Sequence, residues 1–126
     1  MNQNMKFNTT IDFELCDGTK VPLTLTFYAL YQLRSKNAFL YKRYNEIMNK
    51  MSKNNYDEIE MCLILYTAYM CANSDKENVL SEEEFIMMLG GDRTALGKAV
   101  QELTSPKKQK AFDNRSNKGH MQRNQK

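Results

Sequence analysis

The residues of this chain that could carry chemistry are few, and their spacing matches no catalytic or metal-binding pattern. A nucleophile needs a general base beside it, and the one histidine, His120, stands far down the C-terminal segment. Cys16, Cys62 and Cys71 form an odd set with no Cys-x-x-Cys spacing. Cys62 and Cys71 are nine residues apart, which on one helix puts them about half a turn apart and out of bonding reach. The set matches neither a disulfide framework nor a zinc site and fits a reducing compartment. Two acidic clusters, Asp57-Glu58-x-Glu60 and Glu82-Glu83-Glu84, offer paired carboxylates. Both fall where helices begin, and negative charge there answers the helix dipole. The run from Asp75 to Glu84 resembles a calcium loop, but Leu80 stands where the loop needs glycine. Gly91 to Lys98 resembles a phosphate loop, but Asp92 replaces its first glycine and Ala99 its magnesium-binding hydroxyl. No cofactor, metal or catalytic residue is expected.

The elements around these residues are clearer than the chemistry. From Met61 to Ala72 only Thr67 is polar. That predicts a helix from Tyr56 to Ala72 that is apolar on nearly every side and therefore central. Ile59, Cys62, Leu63, Tyr66 and Met70 form one face; Met61, Ile64, Leu65, Ala68 and Ala72 form the other. The run falls short of the about 20 apolar residues that span a bilayer. Its covering is completed either by the rest of the chain or in part by a partner.

Before it, Ile11, Phe13 and Leu15 alternate with polar residues, as do Val21, Leu23, Leu25 and Phe27 after Asp17-Gly18. This predicts a β-hairpin with a turn longer than two residues, in which the Pro22 strand is either at an edge or pairs only after that point. Helical spacing then runs through Leu30, Tyr31 and Leu33, and through Leu40, Tyr41, Tyr44, Ile47, Met48 and Met51. Asn37 is a candidate N-cap between them, and the spacing leaves open whether 27–51 is one helix or two. Ser81 with Glu84 makes a capping box, and Leu80 with Phe85 stands at hydrophobic-staple positions. That helix stops at Gly90-Gly91, and Asp92 caps a last one carrying Leu96, Val100 and Leu103 up to Ser105-Pro106.

The expectation is thus a mainly α domain over residues 10–106, with an N-terminal β-hairpin and four to five helices. Residues 1–9 are a lead-in, polar and without the apolar segment of a signal peptide. The 126 residues suffice for one core. The net charge of +3 conceals a split: residues 1–104 hold 11 basic and 14 acidic side chains, and the remainder 7 and 1. The segment 107–126, with almost no apolar residue, is expected to be a disordered basic tail, with Ala111-Phe112 its one docking point.

Three blocks, LTLTFYALYQLRSKN, DEIEMCLILYTAYMCAN and LSEEEFIMMLGGDR with the helix after it, in this order and spacing, resemble the tail assembly chaperones of long-tailed (siphovirus-type) phages and prophages of Gram-positive bacteria. The resemblance covers roughly Ile11 to Phe112 and rests on no single motif. It implies a helical, non-enzymatic protein of the host bacterial cytoplasm, absent from the finished virion. Its partners would be the tape-measure protein, kept soluble until tail tube subunits polymerise around it, and the tail tube protein. It further implies, in many members, a longer form made by ribosomal frameshifting, for which Lys107-Lys108 is a candidate slip site. Holding a long amphipathic helix takes an adaptable apolar surface. Tyr41, Tyr44, Met48 and Met51, with Met87 and Met88, are the candidate partner-binding residues, and self-association is left open. The alternative is a small phage-encoded nucleic-acid-binding regulator acting through the last two helices and the basic tail. The acidic body and the three glutamates heading one of those helices disfavour it.

Overall fold

The structure is a computed structural model and describes residues 10–105. Its elements are β1 (Thr10–Glu14), β2 (Lys20–Thr24), α1 (Phe27–Lys36), α2 (Ala38–Met51), α3 (Glu58–Ala72), α4 (Glu82–Leu89) and α5 (Arg93–Thr104). The mainly helical architecture with a leading hairpin is as the sequence implies. The lead-in 1–9, the basic tail, Lys107-Lys108, Ala111-Phe112 and His120 lie outside the described residues. Among the described residues no helix is long and apolar enough to cross a membrane.

The strands pair antiparallel, with Ile11 opposite Leu23, Asp12 opposite Pro22 and Phe13 opposite Val21. Period-two alternation puts Leu23 and Val21 on the buried face. The sheet has two strands, so Pro22 lies on an edge. The connection spans Leu15–Thr19: the Leu15 N–H donates to the Thr19 carbonyl at 2.7 Å, and Asp17 Oδ1 accepts the Thr19 N–H at 2.9 Å. Gly18, at φ 92°, supplies the left-handed residue. The hairpin is fastened to α4 where the Cys16 N–H donates to the Met88 carbonyl at 2.8 Å. Gly90 ends α4 at φ 73°, and a Cβ there would lie 3.3 Å from Cys16 Cβ. The left-handed backbone angle favours glycine at that position, and the close approach adds to the cost of any side chain.

Asn37 makes residues 27–51 two helices. Its backbone takes φ −148°, ψ 76°, outside the helical region. Its N–H caps α1 at the Leu33 carbonyl (2.7 Å), while its Oδ1 accepts the Leu40 N–H at 3.1 Å to start α2. At the head of α1, Thr26 Oγ1 accepts the Ala29 N–H.

The central helix starts two residues later than the apolar pattern suggests. Asp57 is extended and caps it: Asp57 Oδ1 accepts the Glu60 N–H at 2.8 Å, and Glu60 Oε1 accepts the Asp57 N–H at 3.0 Å. The first acidic cluster is therefore a capping box. Every residue from Cys62 to Tyr69 is buried, and β2, α1, α2, α4 and α5 all pack on α3. The one polar member, Thr67, satisfies its hydroxyl by donating to the Leu63 carbonyl at 2.7 Å. Burial pushes the Cys71 thiol up to about 12 and the Cys62 thiol in the same direction. Ile59, assigned to an apolar face by periodicity, is instead exposed, at the first turn of α3 ahead of the continuously buried run Cys62–Tyr69.

The capping box on α4 forms as expected. Glu84 Oε1 accepts the Ser81 N–H at 2.9 Å, and Ser81 Oγ accepts the Glu84 N–H at 3.2 Å. Leu80 is half-buried and Phe85 fully buried at the staple positions. Two tyrosines of α3 hold this junction: Tyr66 Oη donates to the Leu80 carbonyl, and Tyr69 Oη accepts the Leu80 N–H at 2.8 Å. Asp92 caps α5 at Ala95, and α4 and α5 pack chiefly on α3.

Candidate partner-binding groove

Among the described residues the widest apolar exposure lies on α1 and α2. Phe27, Tyr28, Tyr31 and Phe39 are all exposed, Phe27 at 91% and Tyr31 at 60%. On α1, Ala29, Leu30 and Leu33 face the core. Phe27, Tyr31 and Arg34, spaced i, i+4, i+7, form a second stripe beside them that is left in solvent. Tyr28 and Tyr31 stack with centroids 6.4 Å apart, and Gln32 Nε2 donates to Tyr28 Oη.

Between this stripe and α2 runs an open groove of about 400 Å³, lined by Phe27, Leu30, Tyr31, Arg34, Tyr41, Tyr44, Asn45 and Met48. The Arg34 guanidinium spans it, 5.8 Å from the ring centroid of Tyr31 on one wall and 5.8 Å from that of Tyr41 on the other. Such distances permit cation–π attraction.

The structure divides the six candidate partner-binding residues. Tyr41 and Met48 are half-buried in the groove wall. Tyr44, expected as a contact residue, is only 7% exposed, and burial pushes its phenol up to about 12. It is floor rather than contact surface, because its turn of α2 faces α3. Met51 and Met88 are half-buried and Met87 is exposed, but none of these three lines the groove. The sequence reading did not name Phe27, Tyr31 or Arg34, which line the groove, among the candidate partner-binding residues. The signal was the second stripe on α1, hidden because Phe27 continued the strand alternation.

The outer side of α2 is braced. Arg43 makes a two-pronged ion pair with Glu82 at the head of α4 (2.8 and 3.0 Å) and lies 5.5 Å over the Phe39 ring. Lys50 pairs with Glu60, and Lys36 Nζ donates to the Ser74 carbonyl. The Arg43 guanidinium holds the Glu82 carboxyl below its ordinary range. A depressed carboxylate stabilises the fold above its unfolded pKa, and that contribution is lost as pH falls through the folded value. Glu82→Gln is therefore expected to lower stability by up to about 1 kcal/mol at neutral pH, since the pair is partly exposed. The gap should close on acidification. Urea midpoints of both proteins from pH 7 to pH 3 check this.

Other concavities lie among the described residues. One of about 550 Å³ lies between the hairpin and α5 and carries Asp12, Glu14, Lys98 and Glu102. One of about 180 Å³ lies where Ile59, Ile86, Leu89 and Leu96 meet. Among the described residues no three of His, Cys, Asp and Glu are grouped to hold a metal ion. No protein-family model matches the chain, and no curated protein or solved structure is detectably similar to it.

Proposed function

We propose that this protein is an assembly chaperone that holds an apolar helical segment of a partner in the α1–α2 groove. On the resemblance of its blocks to phage tail assembly chaperones, the partner is the tape-measure protein. The place is the host bacterial cytoplasm, before tail tube protein polymerises. The observation that carries the reading is the row of aromatic rings, Phe27 and Tyr31 exposed and Tyr41 half-buried in the facing wall, on two helices braced from behind. Solvent-facing aromatics in a contiguous groove contribute little to the fold and mark a protein contact. Because the walls are helices, the surface is preorganised.

Co-expression with the tape-measure gene of the same genome tests it. A soluble, co-purifying complex is expected. Phe27→Ala/Tyr31→Ala should weaken it by about 100-fold or more, since buried aromatic anchors contribute about 2 kcal/mol or more each. The melting temperature of the free protein should barely move, because both rings are exposed. Met87→Ser, outside the groove, should bind as the parent does. Absence of any complex, or a complex indifferent to the double variant, overturns the proposal.

A further inference from the structure

We infer that the α1–α2 groove selects an amphipathic helix whose apolar stripe is bordered by carboxylates, one of which pairs with Arg34; this rests on the groove being a partner surface.

The charge distribution points there. Residues 27–51 carry five basic side chains (Arg34, Lys36, Lys42, Arg43, Lys50) and one acidic, Glu46. The other described residues carry five basic and thirteen acidic. The segment that forms the groove walls is thus the basic segment of an acidic body, and complementary charge sets which partner docks and how fast. Within that face, Arg43, Lys50 and Lys36 are engaged by Glu82, Glu60 and the Ser74 carbonyl. Glu46 lies beside Arg43 and Lys50, and its charge falls on them. Arg34 forms no ion pair among the described residues. It is the one charged side chain lining the groove, which holds no carboxylate. An incoming carboxylate would meet the guanidinium between two rings, where water is displaced and a charge-assisted hydrogen bond strengthens.

The walls decide the shape of the occupant. Both are helices whose backbone groups bond internally, so an extended segment would find no free N–H or carbonyl to pair with. A helix arrives with its own backbone satisfied and offers only side chains. The 14 residues of α2 run about 21 Å, matching about four turns of a partner helix.

The test uses the full-length protein and two fluorescein-labelled synthetic helical peptides with one apolar i, i+3, i+4, i+7 stripe. One has glutamates beside the stripe and the other lysines. Fluorescence anisotropy should show the glutamate peptide binding at least about tenfold tighter at low salt, with the preference fading as salt is raised. Arg34→Glu should reverse the preference, and Arg34→Gln should remove most of it. Equal binding of both peptides, or a preference that survives Arg34→Glu, overturns the inference and leaves the groove as a docking site. Loss of the co-expressed complex's dependence on Phe27 and Tyr31 removes the underlying reading instead. A single-stranded DNA oligonucleotide that displaces the glutamate peptide at matched salt assigns the face to nucleic acid and also overturns the inference.

Discussion

Phe85→Ala is expected to cost about 3–5 kcal/mol, a large part of what a domain of this size has to lose. Phe85 is fully buried, with its ring centroid 4.9 Å from that of Tyr69 and 5.5 Å from that of Tyr66. Truncation removes the burial of a large ring and leaves a void that two rings cannot close. They are tethered: Tyr66 Oη and Tyr69 Oη each bond the backbone of Leu80. Relaxation into the cavity would break one of those bonds. Phe85 is also the residue that seats α4, since it is the only fully buried side chain of that eight-residue helix. Urea denaturation followed by circular dichroism measures the loss. Phe85→Leu, which keeps much of the volume, should cost distinctly less. A loss under about 1 kcal/mol for Phe85→Ala would mean that α4 is not held by this cluster.

Leu65→Asp should unfold the protein, and Leu63→Asp should do the same from the other face of α3. Leu65 is wholly buried and Leu63 is buried at 8%. An unpaired carboxylate inside costs several kcal/mol even after relaxation. Removal of the leucine side chain from its packed site costs about 2–5 kcal/mol more. Together these exceed the stability of an ordinary domain. Ile59→Asp is the contrast on the same helix. Ile59 is 61% exposed in the first turn, where a negative charge is compatible with the dipole. Its effect should stay within about 0.5 kcal/mol. Circular dichroism and gel filtration of the three variants separate the cases. A folded Leu63→Asp or Leu65→Asp protein would mean that a partner, and not this chain, completes the covering of α3 on that side.

That contrast bears on where a partner binds. An all-round apolar helix in a short chain leaves two readings open: a closed shell, or a shell completed by another molecule. Over Cys62–Tyr69 the chain closes the shell itself. Among the described residues the widest exposed apolar surface sits on α1 and α2, one layer out. A protein so built keeps its core intact whether or not the groove is filled.

The local rules of the chain were legible in the sequence because they act within four residues. Ser81 and Glu84, Asp92, the hairpin about Asp17-Gly18 and the stop at Gly90 each follow from backbone groups that a neighbouring side chain or a glycine must satisfy. The apolar run of α3 likewise required a central position, since no outer place hides every side of a helix. Asn37 showed the limit of that reasoning. Its capping chemistry was visible, but only its backbone angles decided that it ends one helix and begins another.

The groove was legible only in part. Tyr41, Tyr44 and Met48 share a stripe by spacing, and spacing does not say which edge of a stripe meets the core. Packing on α3 turned Tyr44 inward and left Tyr41 at the wall. The same packing turned Leu30 and Leu33 of α1 inward and left Phe27 and Tyr31 outside. The sequence by itself determined most of the elements, the caps at Ser81 and Asp92 and the identity of the central helix, because those depend on interactions between near neighbours. The tertiary structure alone decided which aromatic rings face solvent, and that Arg34 stands between two of them, because those depend on how distant segments share one buried face.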